Sequence, residues 1–342
     1  MKPFFIAEIS ANHCGDIKHA KKLIKCAKIY GADAVKLQTY TPEAMTLNSK
    51  KKYFKIENGI WRNYTLWDLY SKAHTPLKWH KELFEFAKKI KIKIFSTPFD
   101  NNAVDFLEKL NCPLYKIASF EMMDLELVKK ISLTKKPLII STGMAKLHEI
   151  NETFKVAKKY GAKDITLLYC VSNYPSQIQD FNLYNIKVLR KKFNCKVGLS
   201  DHSKDSRVAM TSIALGAQVV EKHIALKNQK KGFDVKFSLK GEEIKKFRND
   251  IDTVANLVGK KFFFRNKSED KSKIFRRSLF CTKNINKGEK FTKENIRVIR
   301  PGYGIEPKYY NYLLNKKSPI KLKKEEPIKK NILKFLKKNH FV

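Results

Sequence analysis

Short apolar runs and amphipathic helical patterns alternate eight times between residues 3 and 258. The runs fall at 3–9, 33–38, 91–96, 114–119, 137–141, 164–170, 196–200 and 218–223, and they are nearly continuous in Val, Ile, Leu and Phe. Continuous rather than alternating apolar character is what strands buried on both faces require. Helical patterns follow at 17–30, 77–90, 101–110, 124–133, 147–160, 183–193, 208–215 and 242–258. Several close on a glycine in the helix-ending position, as at Gly31, Gly161 and Gly216. Eight βα units in about 260 residues match a TIM (β/α)8 barrel in count and length. A doubly wound sheet is the runner-up, but no G-x-G-x-x-G opens any helix.

Residues 1–258 therefore read as an α/β catalytic barrel domain. One insertion, 40–76, breaks the rhythm between the second strand and its helix, and it carries Tyr53, Trp61, Tyr64, Trp67 and Tyr70. A long βα excursion lies on the active-site face of such a barrel, as a substrate-binding element or lid, or as a packing cover. Residues 259–275 are charged and read as a linker. Residues 276–330 read as a second, small domain of short β runs and turns, with a thin core that leans on something larger. Residues 331–342 read as a basic amphipathic tail.

Net charge is +38, which raises the question of a nucleic-acid partner. Of the 71 Lys and Arg residues only 9 are Arg, and the lysines recur as pairs on nearly every helical pattern. That distribution is solvated surface charge rather than one binding stripe, so no nucleic-acid role is expected, and a nonenzymatic polyanion-binding protein is the remote alternative. A field favouring anionic substrates is expected. No apolar run reaches membrane-spanning length, and no membrane partner is expected. Six cysteines without a C-x-x-C pair read as free thiols in a reducing cytoplasm.

In a barrel of this kind, polar residues at strand C-termini are the catalytic candidates. The seventh and eighth strands end in Asp201-His202 and Glu221-Lys222-His223. Parallel neighbours joined by a crossover helix bring those ends to one edge, so His202 and His223 can meet. Two neutral imidazoles there make a metal site with open positions, or two ordinary partly buried histidines. Lys36 and Lys116 lie inside apolar strands, where an ammonium is costly unless paired with an anion. With Thr97, Ser119, Ser141 and Ser200 they form a cradle suited to a phosphate or phosphorylated carboxylate. A Schiff-base lysine is the alternative. Gln38 shares a strand face with Lys36. Glu8, Glu121 and Asp234 supply carboxylates for metal ligation or proton transfer.

The segments FIAEISANHCG, ADAVKLQTYTP, FSTPFD, YKIASFE, IISTGMA, VGLSDH and EKH resemble the sialic acid synthase family. RRSL, KGEKFTKENI and RPGYGI resemble that family's antifreeze-like (SAF) domain, so the resemblance covers about residues 3–330. It implies condensation of phosphoenolpyruvate with an N-acetylated amino sugar. It assigns Mn²⁺, or another divalent ion such as Mg²⁺ or Co²⁺, to His202 and His223. Phosphoenolpyruvate falls to Lys36, Thr97, Lys116, Ser119, Ser141 and Ser200. Gln38, Tyr174, Glu121 and Asp234 would contact the sugar or metal-bound water, and Glu8 would lie beside the reacting carbons. Glu121 is expected to handle the sugar hydroxyl proton. Arg300 would reach the acetamido group from the partner of a domain-swapped homodimer. Within the family, the 66–80 block and Ser119-Phe120-Glu121 are most similar to the branch acting on a diacetamido-trideoxyhexose of altro configuration. N-acetylmannosamine and the legionaminic acid precursor are the alternatives. Five residues depart from the family pattern: Val171, Asp205, Ile224, Ala225 and Phe233.

Overall fold

The structure is a computed structural model that describes residues 2–259 and 262–338. It divides the chain at Gly259 into two compact units.

In the first unit eight parallel strands pair in sequence order: β1 (Phe4–Glu8), β2 (Ala34–Thr39), β3 (Lys93–Pro98), β4 (Tyr115–Ile117), β5 (Leu138–Ser141), β6 (Ile165–Cys170), β7 (Lys196–Asp201) and β8 (Val219–Ala225). β8 pairs back onto β1, so the sheet closes as the alternation predicts. A two-residue strand, β9 (Leu239–Lys240), extends β8. The outer ring comprises α1 (Ile17–Ile29), then α2 (Pro42–Met45) and α3 (Leu66–Ala73) within the insertion, α4 (Leu77–Lys89), α5 (Asn101–Lys109), α6 (Leu125–Leu133), α7 (Leu147–Lys159), α8 (Asn185–Phe193), α9 (Ser206–Ala214) and α10 (Glu242–Val258). Aspartates start four of the helices. Asp16, Asp100, Asp124 and Asp205 accept from Lys18, Ala103, Leu127 and Arg207 backbone N–H groups at 2.8, 2.8, 3.1 and 2.8 Å.

Register fixes which side chains meet. Glu8 sits opposite Lys36 on one side and His223 on the other. Ser200 sits opposite Glu221, and Gln38 opposite Thr97. Side chains alternate along a strand, so Glu221 and His223 share one face, as Lys36 and Gln38 do. Gly198 on β7 is required by a close approach: a Cβ there would stand 2.2 Å from the Val219 carbonyl oxygen.

The second unit pairs β10 (Ser278–Cys281) antiparallel with β11 (Ile296–Ile299) and adds α11 (Tyr310–Leu313) and α12 (Lys330–Lys338). Its core gathers Leu279, Phe291, Ile296, Leu313 and Ile328. The segment expected as a basic tail is largely α12, and it contributes Ile332 and Leu333 to that core. Residues 339–342 of that expected tail lie outside the described residues. The expected linker also carries structure. Lys267–Phe275 forms 3-10 turns, and the Ile274 carbonyl accepts from Gly302 N–H at 2.8 Å. Backbone bonding, invisible in its charged composition, ties this stretch to the second unit. Residues 260 and 261 of the linker are outside the described residues.

Candidate active site

A cavity of ≈ 370 Å³ opens at the C-terminal ends of the barrel strands. Lys36, Gln38, Lys116, Ser119, Glu121, Ser141, Tyr174, Ser200, His202, His223 and Asp234 all line it. Glu8 and Thr97 stand directly behind. Glu8 pairs with the Lys36 ammonium, and Thr97 Oγ1 accepts from Lys36 Nζ at 3.1 Å. Arg300 belongs to the second unit, just after β11.

The floor is a buried ionic network. Glu221 accepts from Lys116 Nζ at 2.9 and 3.1 Å and from the Ser200 hydroxyl at 3.0 Å, with Lys36 Nζ at 4.0 Å. Burial would raise the Glu221 carboxyl, but Lys116 and Lys36 pull it down to about 2. Burial pushes Glu8 up to about 6, against the pull of Lys36. Burial works to lower Lys36, yet the Glu221 and Glu8 carboxylates hold it above the ordinary lysine value. The two lysines expected to await an anion are therefore already paired within the protein. Sequence reading placed Glu221 at the strand end but gave it no role. A carboxylate inside an apolar strand, two positions before His223, was the available signal.

Hydroxyls fill out the floor. Ser141 Oγ is buried without a hydrogen-bond partner, so it is available to a ligand. Ser119 Oγ accepts from Gly143 N–H at 3.1 Å. A Cβ on Gly143 would come 2.1 Å from Ser172 Oγ and 2.8 Å from Ser119 Oγ, so only glycine leaves this corner open.

The two histidine rings stand 5.5 Å apart, centroid to centroid. His202 Nδ1 lies 3.1 Å from the Val171 carbonyl, which orients the ring; burial works to lower its pKa, yet the neighbouring Cys170 and that carbonyl hold it above the ordinary histidine value. His223 Nδ1 is buried without a hydrogen-bond partner, 3.5 Å from an Asp234 oxygen. Burial and the neighbouring His202 hold His223 well below the ordinary histidine value, in the neutral form that ligates metals. Among the described residues no group of three or more His, Cys, Asp and Glu forms a ready cation cage. The pair would supply two nitrogen ligands to a divalent ion. Cys170, read from sequence only as a free thiol, also lines the cavity, 3.8 Å from His202 Nδ1.

Glu121 faces the cavity from the β4 loop with one carboxylate oxygen buried and unpartnered, and burial pushes its pKa up to about 7. The insertion packs onto the cavity mouth. The Trp61 ring lies tilted against Tyr174 with centroids 5.3 Å apart, and its Nε1 donates to the Phe233 carbonyl at 3.1 Å. The departures at Val171 and Phe233 are thus positions whose polar contribution is a backbone carbonyl, and Asp205 caps α9.

Closed barrel, buried lysine–glutamate floor and paired histidines define a (β/α)8-barrel protein with a candidate site at its strand ends. The chain belongs to the NeuB family, whose model matches residues 23–262, and a SAF domain model matches residues 276–334. It is 43% identical over 327 residues to a pseudaminic acid synthase of Helicobacter pylori, covering 95% of this chain and 96% of that one. It is 42% identical over 328 residues to the pseudaminic acid synthase of Campylobacter jejuni serotype O:2, covering 96% of both. The crystal structure of an N-acetylneuraminic acid (sialic acid) synthetase from Leptospira borgpetersenii superposes with a TM-score of 0.71 at 28% identity, covering 80% of this chain and 90% of that one.

Proposed function

We propose that this chain condenses phosphoenolpyruvate with a diacetamido-trideoxyhexose of altro configuration and water, giving pseudaminic acid and phosphate. The observation that carries the reading is the buried Lys36–Glu8 and Lys116–Glu221 floor beside the His202–His223 pair. It occurs in a chain 43% identical to a pseudaminic acid synthase.

The lysines and the hydroxyls of Thr97, Ser119, Ser141 and Ser200 hold the phosphate and carboxylate of phosphoenolpyruvate. Gln38 and Tyr174 orient the open-chain sugar above it. When bound between His202 and His223, a divalent ion, Mn²⁺ first and Mg²⁺ or Co²⁺ as alternatives, supplies Lewis-acid polarisation of the aldehyde. Carbon 3 of phosphoenolpyruvate bonds to the aldehyde carbon, and Glu121 gives its proton to the aldehyde oxygen. Positive charge develops at carbon 2, close to Glu8, and water adds there. As it adds, the water gives one proton to a neighbouring carboxylate, Asp234 in this reading, and leaves a hydroxyl on carbon 2. The carbon 2 hydroxyl then becomes the ketone as the C–O bond to phosphate breaks, its proton leaves with the phosphate, and the two lysine ammonium groups stabilise the departing group.

Arg300 of the partner subunit completes the acetamido contact in a domain-swapped homodimer. This part rests on the family resemblance, and light scattering on the purified chain tests it. The reducing-cytoplasm reading agrees with six free cysteines. Among the described residues no helix is long and apolar enough to cross a membrane.

The test is phosphate release from phosphoenolpyruvate with Mn²⁺, with and without EDTA. The altro sugar, its legionaminic counterpart and N-acetylmannosamine are compared. Turnover of the altro sugar alone supports the reading. Preference for another of the three moves the specificity and keeps the chemistry. No turnover with any of them ends it.

A further inference from the structure

Residues 66–73, which fall in the long excursion read from sequence at 40–76, form the helix α3. Leu66, Leu69, Tyr70 and Ala73 all line the cavity, and their spacing of i, i+3, i+4 and i+7 is one face of that helix. An apolar stripe of this kind ordinarily packs on a core. Here it faces the space where substrate binds. Ile56, from the stretch before α3, continues the same wall. The helix is firmly set, because Thr65 Oγ1 accepts from Asp68 N–H at 3.0 Å.

The wall offers few hydrogen-bonding groups. The Trp61 indole N–H is already committed to the Phe233 carbonyl. The Tyr70 ring stands edge-on to Tyr40, and its phenol lies within electrostatic reach of Glu121, on the polar side. Every charged group of the cavity comes instead from the strand ends and their loops.

The histidine pair and this wall line one cavity, so in the proposed condensation a sugar whose aldehyde meets the pair has this apolar side for its far end. A hydroxyl placed there loses water and gains no partner, whereas a methyl group loses nothing. The geometry points to Ile56, Leu66 and Leu69 as the residues that select a sugar with a deoxygenated terminus over one carrying a terminal hydroxyl. This inference rests on the proposed condensation and names the feature of the sugar it selects.

The test compares kcat/KM for the trideoxy sugar with that for its counterpart bearing the terminal hydroxyl. The wild-type protein should prefer the deoxy sugar by about ten- to a hundredfold. Leu66→Gln and Ile56→Gln should each shrink that preference about tenfold, and Leu66→Met should keep it. Ile56 lies outside the helix, so Ile56→Gln serves if Leu66→Gln fails to fold. A KM for phosphoenolpyruvate close to wild type reports an intact floor in either variant. A preference unmoved by both glutamine variants overturns the inference, as does a wild-type protein that uses both sugars equally well. A wild-type protein that turns over neither sugar overturns the condensation reading, and this inference with it.

Discussion

The Glu221 carboxylate lies 2.9 Å from the Lys116 ammonium and binds it with both oxygens, and both residues are buried. Removing one partner of a buried ion pair strands the other. Lys116→Met should therefore cost about 3 kcal/mol of stability in urea unfolding. Loss of this cation from the phosphate site should lower turnover by roughly a thousandfold. The double variant K116M/E221M should recover most of the stability and none of the turnover, which separates the structural from the chemical use of the pair.

His202 and His223 are expected to act together. Mn²⁺ should raise the melting temperature of the wild-type protein, as any ligand of the native state does. His202→Ala and His223→Ala should each abolish that shift and the EDTA-sensitive turnover. A Mn²⁺-dependent melting shift that survives in both variants would place the ion elsewhere.

Glu121 should give the pH profile its upper limb. Burial raises its carboxyl from 4.5 to about 7, so the proton it donates is present below that pH and absent above it. kcat/KM is expected to fall as pH rises through about 7, and Glu121→Gln should remove that limb along with most of the rate. The stability effect has the same sign. The folded state holds this proton more tightly than the unfolded chain. Its contribution is full below about 4.5 and lost as pH rises through about 7. Urea midpoints across that range should show a shallower decline for Glu121→Gln.

Ile332 is 1% exposed in the core of the second unit, although it falls in a stretch that reads as a tail. Ile332→Ala should destabilise that unit by about 2–5 kcal/mol, as truncation of a buried aliphatic side chain does. An unfolding curve for the variant that overlays the wild type would remove α12 from the core.

The strand runs and the glycines ending their helices were legible in sequence because they are local. Eight buried parallel strands leave eight apolar runs, and Gly31 and Gly216 have φ of 88° and 104°. The strand-end candidates were legible for the same reason, since a polar side chain stands out at the end of an apolar run. Glu221 as counter-ion to Lys116 was not, because that contact joins residues 105 positions apart and exists only once the barrel closes. The helix α3 was hidden because it is short and its stripe of Leu66, Leu69, Tyr70 and Ala73 faces a cavity rather than a core. The buried role of α12 was masked by the lysines on its outer face.

Closure of β8 onto β1 also has a consequence for synthesis. Lys36 and Lys116 leave the ribosome well before Glu221, the carboxylate that lies near both. Until the eighth strand is made and docks against the first, the nascent barrel holds two cations with only Glu8 to balance them. A chain stopped short of residue 221 lacks the ring and its counter-charge alike. Premature products should thus stay open and be cleared by proteases rather than persist as half-built competitors for phosphoenolpyruvate.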